Sequence, residues 1–130
     1  MHQHEILDFA PIRGCKMGYA PVGKPLMQVI CYHVDGLLID TGAGNANASF
    51  RNLTQDLPID MAVLTHYHED HSGNANFLAQ TRKVPIFGHP LTAEKMRYGF
   101  PLQAYEHFMW GKSMPTEITP IPKQIETSHY

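Results

Sequence analysis

Apolar residues in this chain fall into short runs, and proline, glycine and aspartate stand between the runs rather than long polar stretches. The first run, residues 6–18, is strand-like but broken at Pro11 and Gly14. Residues 27–34 are rich in β-branched and aromatic side chains, which suit a pleated surface. Asp35-Gly36 follows, a pair that tolerates the positive φ angles of a two-residue hairpin turn, and Leu37-Leu38-Ile39-Asp40 returns. Residues 27–40 are therefore expected to form a β-hairpin.

The spacing changes after the tight Thr41-Gly42-Ala43-Gly44 loop. Phe50, Leu53 and Leu57 recur at steps of three and four residues, which predicts a helix to about Gln55, capped by Asn45 or Asn47. Pro58 and Asp60 end that pattern. Met61-Ala62-Val63-Leu64 is wholly apolar, as a strand buried between two layers is. A helix is expected from after Gly73 to near Gln80, and a strand over residues 84–88. From Leu91 to about Trp110 the sequence is helical but irregular, cut by Gly99-Phe100-Pro101. Residues 115–130, with Pro115, Pro120 and Pro122, read as extended and ending in an edge strand. The predicted order, β-β-β-α-β-α-β-α, defines an α/β fold with sheet and helices in layers.

At 130 residues the chain is one domain, large enough to bury a core of its own. An apolar share of 43% and a charged share of 17% are those of an ordinary globular protein. The net charge is -2 and the ten basic residues are scattered, so no basic stripe tracks a phosphate backbone and nucleic acid is a disfavoured partner. No charged segment followed by an apolar one opens the chain, and no apolar run approaches the length of a membrane span. The expected location is cytoplasmic, with Cys15 and Cys31 as reduced thiols filling small core positions.

Histidine changes the picture: three of the nine lie between positions 66 and 71. His66 and His68 are two residues apart at the mouth of a predicted strand, so their side chains leave one face. Asp70 and His71 follow where the chain turns into a helix and bring a carboxylate and a third imidazole from another direction. Four such donors suit zinc, and iron or manganese by ligand type. The isolated His2, His33 and His107 read as surface or core residues.

The run Thr65-His66-Tyr67-His68-Glu69-Asp70-His71, with Ser72-Gly73-Asn74 after it, resembles the HxHxDH signature of the metallo-β-lactamase superfamily. Leu38-Ile39-Asp40-Thr41-Gly42 resembles that family's first motif, a strand ending in Asp-Thr-Gly. The resemblance covers roughly residues 5 to 100 and implies the amino-terminal half of an αβ/βα sandwich, a mixed sheet with helices packed on one face. It implies up to two zinc ions, the first held by His66 and His68, the second by Asp70 and His71. Asp40 would orient a ligating histidine by a hydrogen bond. The nucleophile implied is a water made acidic between the metals, with Asp70 as the catalytic acceptor of its proton. The family's later motifs, a Gly-His-(Ser/Thr) run, a bridging aspartate and a final histidine, have no counterpart here. His89 and His129 are expected in structural roles, not as ligands. The aromatic and methionine-rich segment from Met96 to Met114 is expected to pack on the core or on a further half of the fold.

The function implied is metal-dependent hydrolysis of an ester, thioester, amide or phosphoester in a small-molecule substrate. The alternative is a metal-binding but inactive half that needs a partner: a second copy in a homodimer, or a complementing carboxy-terminal half. The missing export segment speaks against antibiotic hydrolysis, and the charge pattern against a nuclease.

Overall fold

The computed structural model describes residues 2–25, 27–99, 110–111 and 114–130. Its first two strands, β1 (His2–Phe9) and β2 (Ile12–Tyr19), form an antiparallel hairpin that turns at Ala10 and Pro11. The sequence suggested a single interrupted strand. The interruption at Pro11 is the turn itself, and the polar His2-Gln3-His4-Glu5 forms an edge strand. Polar side chains on such an edge are tolerated by solvent and discourage pairing with other chains.

Strands β3 (Val29–Val34) and β4 (Leu37–Ile39) form the expected hairpin, with Asp35 at φ 46° and Gly36 at φ 80° in the turn. A 3-10 turn over Gly44–Ala46 leads into α1 (Asn47–Thr54). The expected asparagine cap is not used: the cap position of α1 is Ala46, and the Asn47 amide instead donates to Asn74 Oδ1 at 2.6 Å. At the other end Arg82 donates to the carbonyls of Thr54 and Leu57, at 2.8 and 2.9 Å, placing a cation where the helix dipole is negative. β5 (Met61–Leu64) follows, then the short α2 (Glu69–Ser72), α3 (Ala75–Thr81), β6 (Ile86–Gly88) and α4 (Pro90–Tyr98). The edge strand expected at the end of the chain lies earlier, as β7 (Thr119–Pro120), and the last residues dock elsewhere.

The seven strands lie in chain order in one sheet, antiparallel from β1 to β4 and parallel from β4 to β7. Each parallel pair needs a crossover, and α1, the α2–α3 segment and α4 supply them. Register shows the two faces. Cys15 and Cys31 pair, as do Leu38, Ala62 and Ile86 in succession, and all are buried with Phe50, Leu53, Leu78 and Met96 of the helices. The opposite row, Tyr32, Ile39, Val63 and Phe87, is only partly buried, so the helices cover one face. Phe50 is fully enclosed and meets Phe77 edge-on at 6.1 Å; burying such a ring contributes about 1.5–3 kcal/mol.

Of the aromatic segment, Met96 is in the core, Trp110 packs against it, and Tyr98 and Met114 are exposed. Phe100, Tyr105, Phe108 and Met109, with His107, lie outside the described residues. Among the described residues no helix is long and apolar enough to cross a membrane.

Candidate metal centre

The parallel strands β4, β5 and β6 all end on one side of the sheet, where open α/β sheets bind ligands. Asp40 stands at the end of β4, and residues 65–68 follow β5. Asp40 takes φ 64°, a left-handed conformation that aspartate tolerates better than most residues. Its backbone N–H donates to Val63 O at 2.8 Å, and its carboxylate turns across the sheet end. There Oδ1 accepts the Thr65 N–H at 2.8 Å, Thr65 Oγ1 lies 2.8 Å from Oδ2, and His71 Nδ1 lies 2.9 Å from Oδ2.

The loop after Asp40 is stitched to the segment after His71. Thr41 N–H and Oγ1 both donate to His71 O, at 2.7 and 2.9 Å. The Asn74 amide donates to the carbonyls of Thr41 and Ala43 at 2.7 and 3.0 Å, and its N–H to Thr41 Oγ1. Gly73 N–H donates to Gly42 O at 2.9 Å. A side chain at Gly73 would collide with the Gly44 nitrogen and come within 2.6 Å of the Ala43 carbonyl carbon, so the backbones meet this closely only because residue 73 is glycine. Ser72 closes the turn from the other side, donating to Tyr67 O at 2.7 Å.

This scaffold brings His66, Asp70 and His71 together, one donor atom from each within 4.8 Å of the others. Ligands of a single zinc stand about 3–4 Å apart, so small side-chain rotations gather these donors on an ion. The trio cuts across the two pairs that the resemblance implies, taking His66 from one and Asp70 with His71 from the other. His68 is exposed, its ring 4.8 Å from that of His66 and roughly perpendicular to it. His66 and His71 rings lie 4.3 Å apart.

Charge at the site follows from these contacts. His71 is pushed up to about 10 by its hydrogen bonds to Asp40 and then Asp70, against a smaller opposing effect of burial. Burial pulls Asp70 upward, but the hydrogen bond and charge of His71, 3.3 Å away, outweigh it and leave the carboxyl below its usual value. His66 is held below the usual imidazole value by burial, then by the charges of His71 and His68. Without metal, His71 is thus an imidazolium between two carboxylates. A metal held by His71 would take the place of the Nε2 proton, with Asp40 keeping hold of Nδ1.

Three histidines outside the cluster have structural partners. His89 caps α4, its Nδ1 accepting the Leu91 N–H at 3.0 Å. His129 sits beyond the opposite end of β4, with Nδ1 2.8 Å from Asp35 Oδ1. His33 is buried, its Nε2 2.7 Å from Pro58 O. Sequence reasoning treated Thr65 and Asn74 as flanks of the second motif and Thr41 as part of the first, and missed the bonds they make. Their only signal was being small polar residues adjoining clustered donors.

The sequence profile of the metallo-beta-lactamase superfamily matches residues 28–129. This chain belongs to that superfamily. Among solved structures it is similar to a metallo-beta-lactamase from Pontibacter korlensis, with 20% identity and a TM-score of 0.62 over 89% of this chain and 52% of that one. The mono-zinc form of a metallo-beta-lactamase from Pseudomonas aeruginosa is 17% identical, with a TM-score of 0.61 over 91% of this chain and 50% of that one. A flavo di-iron protein variant from Thermotoga maritima is 15% identical, with a TM-score of 0.64 over 79% of this chain and 31% of that one. At these identities the likeness is one of fold, and this chain spans about half the length of the first two. No curated protein sequence matches the chain.

Proposed function

We propose that this chain supplies the metal-binding part of a metal-dependent hydrolase acting on an ester, thioester, amide or phosphoester of a small molecule. The observation that carries the reading is the convergence of His66, Asp70 and His71 at the sheet end, with Asp40 bonded behind His71. His66 and His68 are assigned to one metal, and Asp70 and His71 to a second. Zinc fits imidazole and carboxylate donors best, with iron or manganese as the substitutes. When bound, the metal makes a water acidic enough to attack at neutral pH and polarises the bond it attacks.

The protein's own part is positional. Asp40 accepts from His71 Nδ1, which fixes the ring with Nε2 facing the site, so that this nitrogen would offer its lone pair to a metal once its proton is displaced. Asp70, at the start of α2, holds a carboxylate oxygen where it can take a proton from the attacking water. Thr65 anchors Asp40 from the opposite side, so that its carboxylate cannot rotate away. His66 and His68 set the rim.

The gathering of only His66, Asp70 and His71 among the described residues, with His68 exposed, favours a second reading, in which this chain binds metal but turns over nothing without a partner. That partner is either a second copy or a chain supplying further ligands. A single experiment separates the two: load the purified chain with zinc, measure bound metal by elemental analysis, and assay ester and thioester hydrolysis with and without a family-type carboxy-terminal half. Metal with turnover supports the hydrolase in this chain; metal without turnover until the second half is added supports the partner reading. Failure to bind any metal sinks both.

A further inference from the structure

Cys15 and Cys31 lie 16 positions apart in sequence, yet they are direct cross-strand partners on β2 and β3. Both point to the helix-covered face, both are wholly buried, and neither is in a disulfide. Facing residues of an antiparallel pair hold their Cβ atoms about 4.5–5.5 Å apart. A disulfide needs about 3.5–4.5 Å, so a slight approach of the strands suffices. The two thiols are near enough to perturb each other, Cys31 drawing the Cys15 thiol down and Cys15 pushing the Cys31 thiol up. This is more than two small residues filling a core.

We propose that Cys15 and Cys31 form an oxidation site that a hydroperoxide closes into a disulfide, tying the amino-terminal hairpin to the sheet that carries the metal centre. Cys15 is the attacking sulfur: Cys31 beside it, with a smaller pull from Arg13, holds its thiol below the usual value. Cys15 in turn, with burial, holds Cys31 protonated. Cys15 sulfur attacks the peroxide O–O bond, becomes a sulfenic acid and releases an alcohol or water. Cys31 sulfur then displaces the hydroxyl from Cys15 as water and forms the S–S bond. Two thiol hydrogens leave with two electrons, and one hydroperoxide is reduced. Access comes from the side of β1, an edge strand with one neighbour, where Ile6 pairs with Cys15 and is 47% exposed. Local opening of such an edge costs less than global unfolding. The proposal is independent of the reading of the metal site.

The test treats the full chain with hydrogen peroxide, then denatures and alkylates it. Cysteine peptides are read by mass spectrometry, because the seven methionines also take up oxygen. The expected result is loss of both alkylation sites and a peptide linking Cys15 to Cys31, restored to two free thiols by dithiothreitol. The oxidised chain should melt several degrees above the reduced one, since the cross-link restricts the unfolded chain. Cys31→Ser should leave Cys15 as a sulfenic or higher acid with no cross-link. Should that variant fail to fold, the wild-type peptide map still decides. Two alkylated cysteines after peroxide, cysteines oxidised singly, or disulfides only between chains would each overturn the proposal.

Discussion

β4 is three residues long, and an aspartate at a positive φ stands beyond each of its ends. Each aspartate holds a histidine from far along the chain, Asp35 with His129 at 2.8 Å and Asp40 with His71 at 2.9 Å. In distance and atoms the pairs are nearly the same. Their surroundings are not. His129 is 77% exposed and belongs to the chain's last residues, whereas His71 is 29% exposed and its partner Asp40 accepts two further bonds from Thr65. At the exposed end water screens the pair and competes for it, and such contacts contribute little. At the enclosed end the same chemistry, joined by Asp70, fixes a ring and pushes its pKa up to about 10. Asp35 too has a third partner, in Thr127, so what separates a docking point from a candidate metal centre is the burial of the histidine and the second carboxylate, Asp70, beside it.

The largest break of this contrast removes donors from the enclosed end. His66→Ala with His68→Ala should abolish tight zinc binding, read by elemental analysis after dialysis, while leaving the fold's circular dichroism intact. Unchanged stoichiometry would show that the donors lie elsewhere. Next comes the support behind the ligand: Asp40→Ala should weaken zinc affinity by about ten- to a hundred-fold. Asp40→Gly should weaken it equally but melt higher than the alanine variant, because φ 64° suits glycine. Equal melting points for the two would refute the backbone part of that claim.

A pH series sharpens the comparison further. His71 has its folded value raised from 6.5 to about 10, so in metal-free protein its ion pairs stabilise fully below pH 6.5 and fade as pH rises through 10. Melting temperature of the chelator-treated chain should therefore fall across that window, and Asp40→Ala should flatten the slope. Asp35 is lowered to about 2 by hydrogen bonds from Thr127 first and His129 second, so its contribution is present above pH 3.8 and lost as pH falls toward 2. The smallest effect belongs to Asp35→Ala. It should free the last residues to proteolysis near the carboxy terminus with no change in zinc affinity, and a changed affinity would mean that the two ends are coupled.

Legibility followed the range of the interactions. The β3–β4 hairpin was readable because Asp35-Gly36 carries its turn locally, and the donors were readable because they fall within six residues. The Asp40–Thr65 and Thr41–Asn74 bonds span 25 to 33 residues, and no local pattern announces them. The first half of β1, residues 2–5, lay outside the strand-like run for a different reason: an edge strand with solvent around it needs no alternating apolar face, so its polar sequence carries no strand signal. The asparagine cap of α1 was overridden by tertiary structure, since Asn47 has a better partner in Asn74 than in its own helix.

The bonds joining residues 41–44 to residues 71–74 also have a meaning in time. They close a loop of about thirty residues that contains α1, β5 and α2, so none of them forms until that whole crossover is in place. Contacts of such sequence separation are made late, after their loop-closure entropy has been overcome. On that ordering His66, Asp70 and His71 come together late, and a metal taken up there would register completed folding rather than start it.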